Sequence, residues 1–406
     1  MKYIILLGDG MADYPLEEVG GRTPLEVAST PNMDRIAGDG SILLIDTIPK
    51  GMTPGSDVAN LAVLGYDPSV YHTGRGPLEA ASMGVKLSVH DVAFRCNLVT
   101  LSDDERMVDF TADHISSGDG AELIGMLNEK LGTTDIHFYA GVGYRHLMVW
   151  TGGNEWIATT PPHDITGQSV VEHLPHGEGS DVLRRFIAAS REFLTQHPVN
   201  KRRMDQGKRP ATSIWPWGQG KAPRMTPLTE RYGITGGVIS AVDLIRGIGY
   251  YAGLENIPVT GATGYTDTNY LGKAEAALHS LRKNDFVFLH VEAPDEMGHE
   301  GNIQGKITAI EDFDRDVVGT VLEGIPSLGE YRVAVLSDHP TPIVKKTHVS
   351  DPSPLAVISS RDEENLKTGV AFHEKSAASS GLMLTPGHQL MEYFLGDWRS
   401  CVGRSS

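Results

Sequence analysis

The chain is poor in cysteine, in long apolar runs and in positive charge, and each shortage removes a class of protein. Its 406 residues include 2 cysteines, Cys96 and Cys401, too few for a disulfide framework or a cysteine-rich zinc site. Cys96 reads as a small buried apolar residue and Cys401 as a loose terminal thiol. No segment approaches the roughly 18 consecutive apolar residues of a membrane span. The opening MKYIILLGDG runs straight into Gly and Asp; that apolar stretch is too short for a signal peptide, and a cytoplasmic protein is expected. Lys and Arg total 35 against 52 Asp and Glu, a formal net charge of −17. Nucleic acid and anionic membranes are bound through clustered Lys and Arg, so neither is an expected partner. An anionic substrate would need local basic residues or metal ions.

Hydrophobic residues make up 40% and charged residues 21%, the balance of a globular protein with a large core and two or three domains. The run YIILL, residues 3–7, is bounded by GDG and reads as a buried parallel strand. TPLEVASTPNMDRIAGDG then reads as helical. Further strands are expected at Phe286–Val291 and 333–336, separated by KITAIEDFDRDVVGTVLEGI, one amphipathic helix with Asp314 as its exception. Strands alternating with helices define an α/β fold with a mostly parallel sheet flanked by helices. Residues 76–232 differ: VAFRCNLVTL and HFYAGVGYRHLMVW are strand-like, and GDGAELIGMLNEKLG between them is helical. NKRRMDQGKRPATSIWPWGQGKAPRM, rich in basic residues, Gly and Pro, reads as a loop or domain crossing. We therefore expect a core built from 1–75 and 233–406, with an α+β domain inserted at 76–232.

Ligands collect beyond the carboxyl ends of strands in open α/β sheets. Three expected strands finish in acids: Asp9, Asp295 and Asp338. His299 lies four residues after Asp295, His339 directly follows Asp338, and His348 stands in KKTHVSDPSP. A lone Asp after a strand is usually a cap or a turn residue. Three, two of them flanked by histidine, point instead to carboxylate and imidazole ligands for divalent ions such as manganese or zinc. Ser56, in KGMTPGSDVANLAVLGY, precedes an apolar helix. Alone it reads as an N-cap, but a helix N-terminus also favours a phosphate. A metal ion would turn its hydroxyl into a nucleophile.

The stretches LLGDGMAD, TPGSDVANLAVLGYDP, GRGPLEAAS, GGVISAVDLIRGIG, GATGYTDTNYLGKAEAAL, APDEMGHEGN and LSDHPTP together resemble the cofactor-independent phosphoglycerate mutases of the alkaline phosphatase superfamily, in their shorter, archaeal-type branch. The resemblance implies an alkaline-phosphatase-like core. It implies Ser56 as phosphoryl acceptor, one metal held by Asp9, Ser56, Asp338 and His339, and a second held by Asp295, His299 and His348. Manganese is the expected ion, with zinc, cobalt or magnesium compatible with the same donors, and no bisphosphoglycerate is required. The substrate would be a small phosphorylated hydroxy acid, 3-phosphoglycerate becoming 2-phosphoglycerate, contacted and covered by the inserted domain.

Substrate contacts rest on single residues. His114, Arg145 and the pair His163 and Asp164 look like the family's polar positions in the insert. Arg145 suits a bidentate grip on an anion but equally a solvated sheet surface. His163, with Asp164, is either a general acid or base or part of a turn after Pro161 and Pro162. Lys273 either reaches a phosphate or stands exposed on its helix. The stretch 109–115 reads DFTADHI, where the resembled mutases carry arginines. A kinase acting on homoserine, another phosphotransferase or a phosphatase on the same metal core is the alternative.

Overall fold

The computed structural model describes residues 1–402. The chain separates into two compact units, Met1–His72 with Arg224–Ser406, and Thr73–Pro223. Residues 224–232 thus pack with the first unit: Tyr66 donates to the Thr226 carbonyl and Arg231 to the Gly65 carbonyl.

Among the described residues, the first unit contains an eight-stranded mixed, mostly parallel sheet. Its order is Met383–Leu384, Ser41–Ile45, Ser353–Ser359, Tyr331–Leu336, Lys2–Gly8, Phe286–Val291, Gly236–Ile239 and Glu255–Asn256. Lys2–Gly8 lies at the centre, parallel to Tyr331–Leu336 on one side and to Phe286–Val291 on the other. Leu7 is paired with Leu336 and with His290, so the three strands end at one edge of the sheet. Ile4 to Leu7, Val333 to Leu336 and Phe286 to Leu289 are buried, as the absence of polar alternation requires for strands covered on both faces.

TPLEVASTPNMDRIAGDG forms two helices, Pro24–Val27 and Pro31–Asp39. The break falls where Pro31 lacks the N–H a continuous helix would use. The second helix starts without a cap from its own Thr30. Asp314 caps it from a distance, accepting from the Asn32 and Met33 backbone N–H groups at 3.2 and 2.7 Å. That use of Asp314 accompanies a departure from the single helix expected over KITAIEDFDRDVVGTVLEGI. Ile303–Asp312 is α-helical, Phe313–Gly319 is π-helical and Thr320–Gly324 resumes the α form. Asp314, which shares the helical spacing of Ile307, Ile310 and Val317, is buried within the π segment.

In the second unit, Asp91–Leu101 pairs antiparallel with Arg145–Thr151 and with Ser213–Gly220, and Ile136–Val142 pairs with Arg145–Thr151. Helices Ser117–Leu131 and Ser180–Gln196 pack on this sheet, burying Leu123, Leu127, Leu183 and Leu194. The expected loop at NKRRMDQGKRPATSIWPWGQGKAPRM is largely a helix, Pro198–Asp205, and a strand, Ser213–Gly220. Pro216 disguises the strand in the sequence. It is accommodated because this strand pairs on one side only, where a missing N–H disturbs no second ladder. Among the described residues, no helix is long and apolar enough to cross a membrane.

Candidate active site and metal centre

Asp9 follows its strand directly and Asp338 stands two residues past Leu336. Asp295 sits in the first turn of the Ala293–Glu300 helix, which begins where the Phe286–Val291 strand ends. Two donor groups result, Asp9 with Asp338 and His339, and Asp295 with His299 and His348. In the first, His339 Nε2 lies 3.5 Å from both Asp9 Oδ1 and Asp338 Oδ2. In the second, His299 Nε2 is 3.1 Å from Asp295 Oδ2, and His348 Nε2 is 3.5 Å from Asp295 Oδ1. The His339 and His348 rings stand 4.3 Å apart, so the two groups are neighbours.

Ser56 is buried and opens the Ser56–Val63 helix. Gly55, not Ser56, occupies the N-cap position, and the N-cap itself makes no side-chain cap bond. The serine hydroxyl is therefore not spent on the helix's own N–H groups; it faces His339, with Oγ 3.3 Å from Nε2. One turn along the same helix, Asn60 donates to the Ser56 carbonyl and to Asp338 Oδ2, both at 2.9 Å.

The electrostatics show a surplus of buried acid. Burial, together with Asp338 and Glu292, holds the Asp9 carboxyl well above its usual range. Burial and Asp295 push Glu292 up to about 8. Burial would also raise Asp295, but hydrogen bonds from His299 and His348 hold it well below the usual range. The same carboxylate outweighs burial at His299 and lifts its imidazole to about 9. Asp9 Oδ1 and Glu292 Oε2 are buried without hydrogen-bond partners. Buried oxygens with no partner, in a cluster with more acid than its side chains neutralise, fit divalent cations. The mixed carboxylate and imidazole donors suit manganese or zinc.

His290, Glu292, Asn60 and Thr341 complete the site and escaped the sequence reading. His290 Nε2 lies 2.8 Å from Asp9 Oδ2, and its Nδ1 lies 3.2 Å from Ser240 Oγ. With Glu292 and Asp9 it forms a third group of possible ligands. Available signals were the spacing of Asn60 four residues after Ser56, one helical turn, and two polar residues two apart at a strand end. Lys273 does not stand exposed: it is wholly buried and donates to the His290 carbonyl at 3.3 Å. Burial pushes its ammonium down to about 8.

The remaining predicted residues belong to the second unit. His114 ends three consecutive residues with left-handed backbone, Ala112 to His114. Arg145 is exposed, its guanidinium 5.2 Å from the Tyr144 ring. His163 and Asp164 lie in the short 3-10 turn Pro162–Ile165, with His163 edge-on to Phe110 and Trp217. The arginine-free stretch 109–115 has arginines beside it in space. Arg209 pairs with Asp109 at 3.0 Å, and Arg203 donates to the Ala112 carbonyl at 2.6 Å.

A serine facing an acid and histidine cluster at the strand ends of a parallel sheet has the arrangement of a metal-assisted phosphoryl-transfer centre. The family model described as 2,3-bisphosphoglycerate-independent phosphoglycerate mutase matches residues 37–200. A Geobacter sulfurreducens protein named "Probable 2,3-bisphosphoglycerate-independent phosphoglycerate mutase" is 54% identical, over 97% of this chain and 100% of that protein. The 2,3-bisphosphoglycerate-independent phosphoglycerate mutase of Methanosarcina barkeri is 52% identical, over 96% of this chain and 98% of its own. Among solved structures, the cofactor-independent phosphoglycerate mutase of Thermoplasma acidophilum aligns with a TM-score of 0.65 at 26% identity, over 97% of this chain and 99% of that one. The chain belongs to the 2,3-bisphosphoglycerate-independent phosphoglycerate mutase family.

Proposed function

We propose that the protein is an isomerase that interconverts 3-phosphoglycerate and 2-phosphoglycerate without bisphosphoglycerate, by way of a phosphoserine at Ser56. The observation that carries the reading is the Ser56 hydroxyl, uncommitted to its own helix and 3.3 Å from His339 Nε2 beside Asp9 and Asp338. Family membership through relatives about half identical over nearly the whole chain supports the substrate.

Asp9, Ser56, Asp338 and His339 would hold one divalent ion and Asp295, His299 and His348 a second, with manganese the first choice. Such ions supply Lewis acidity, neutralise phosphoryl charge and lower the pKa of a coordinated hydroxyl. Ser56 Oγ forms a bond to phosphorus while the bond from phosphorus to the glycerate C3 oxygen breaks. The serine proton ends on that oxygen, leaving phosphoserine and glycerate. Glycerate then turns so that its C2 hydroxyl attacks phosphorus, and the proton returns to Ser56. Water must be kept out between the two steps, since hydrolysis of phosphoserine would make the enzyme a phosphatase. By the same reading His163, with Asp164, would serve as general acid or base, and His114 and Arg145 would contact the substrate; Lys273, wholly buried against the His290 carbonyl, is left without a direct phosphate contact.

The test supplies 3-phosphoglycerate and manganese without bisphosphoglycerate and follows 2-phosphoglycerate. Formation of that product is expected. No product, with phosphohomoserine formed from homoserine and ATP, would replace the mutase reading with a kinase; release of inorganic phosphate would replace it with a hydrolase.

A further inference from the structure

Two residues past His339, and wholly buried, Thr341 brings one oxygen atom to both ligand groups. Its hydroxyl donates to Asp295 Oδ1, because an ionised carboxylate only accepts. With its single proton spent there, the same oxygen accepts from His339 Nδ1, 3.3 Å away. That assigns the His339 proton to Nδ1 and leaves the lone pair on Nε2, the atom that faces Ser56 Oγ, Asp9 Oδ1 and Asp338 Oδ2.

The threonine is held on every side. Its N–H donates to the Ala12 carbonyl at 3.2 Å, and its carbonyl accepts from Lys306 Nζ at 2.9 Å. Two glycines permit the fit. A Cβ on Gly10, whose φ is +59°, would lie 2.6 Å from Thr341 Oγ1 and 2.4 Å from Asp295 Oδ1. A Cβ on Gly298 would lie 2.9 Å from Thr341 Cγ2. The hydroxyl therefore has little freedom to turn away from its two partners.

We propose that Thr341 is a positioning residue that ties the two metal half-sites together, selecting the His339 tautomer for one and orienting the Asp295 carboxylate for the other. The proposal rests on the metal reading given above. Partners of this kind orient ligands without touching the ion, and their loss typically weakens metal binding about 10–100-fold. Valine has nearly the shape of threonine and lacks the hydroxyl, so it removes both hydrogen bonds while keeping the packing.

The experiment titrates manganese into metal-stripped full-length protein by calorimetry, for wild type, Thr341→Val and Thr341→Ser, with circular dichroism confirming the fold. The wild type is expected to bind two ions. Thr341→Val should weaken both together, each by about 10–100-fold, and Thr341→Ser should restore both. Weakening of one ion only, unchanged affinities, or serine behaving like valine would overturn the role given to Thr341 while leaving the metal reading intact. A wild type that binds no ion pair would overturn the metal reading itself, and this inference with it.

Discussion

Asn60 spans 278 positions of sequence to hold Asp338, its side-chain N–H group 2.9 Å from Oδ2. Asp338 Oδ1 meanwhile accepts from the Gly10 and His339 N–H groups at 3.1 and 3.0 Å. The carboxylate is thus oriented by three donors before any ion arrives, and Asn60 links that orientation to the Ser56 helix. Asn60→Leu removes the third donor at similar volume. It should weaken manganese binding about 10–100-fold, and catalysis at limiting metal should fall with it. A metal titration checks this; unchanged affinity would mean that Asn60 serves packing alone.

Asp314 supplies the cap that the Pro31–Asp39 helix lacks. Asp314→Ala should cost about 0.5–2 kcal/mol, the range for losing an N-cap acceptor. Asp314→Asn, which keeps an acceptor, should cost less. Thermal unfolding of the three proteins gives the order, and equal losses from both substitutions would contradict the capping role.

Lys306 and Asp13 form a fully buried ion pair at 2.7 Å, with Lys306 also donating to the Ala12 and Thr341 carbonyls. Removing one partner of such a pair typically costs about 3–5 kcal/mol, because the other charge is left buried and uncompensated. Lys306→Met should therefore destabilise strongly, and adding Asp13→Asn should recover part of the loss. Chemical unfolding of both single variants and the double variant measures the coupling; strictly additive effects would contradict it.

Glu374 accepts from the Asp13 N–H at 2.9 Å and from the Thr23 hydroxyl at 2.7 Å. Burial nevertheless raises its carboxyl from the ordinary 4.5 to about 7. The folded value lies above the unfolded one, so the fold favours the protonated form. That contribution is complete below about pH 4.5 and is lost as pH rises through about 7. Melting temperatures of wild type and Glu374→Gln across this window should diverge, with the wild type losing ground as pH rises. A constant difference between them would contradict the assignment.

Much of the core was legible because buried strands and the acids at their ends leave a local signature. YIILLGD, FVFLHV and VAVLSD each carry an apolar run and then, at or soon after its end, a carboxylate, and the sheet order places those ends side by side. Residues acting through distant partners were not legible. Asn60 and Thr341 look like ordinary polar residues until the Ser56 helix and the Asp338 loop meet. His290 is hidden inside an apolar strand, and its meaning depends on Asp9, 281 positions away. Asp314 read as an interruption in a helix because nothing local shows that it caps another. In the second unit, Pro216 and the flanking glycines masked a strand that edge position makes tolerable.

The most direct test of the central claim is to incubate the metal-loaded enzyme with 3-phosphoglycerate, quench in acid and determine by peptide mass spectrometry which residue carries phosphate. Phosphate on Ser56, absent when substrate is withheld and lost together with turnover in Ser56→Ala, is the predicted result. Turnover with no phosphoserine at Ser56, or appreciable activity in Ser56→Ala, would contradict it.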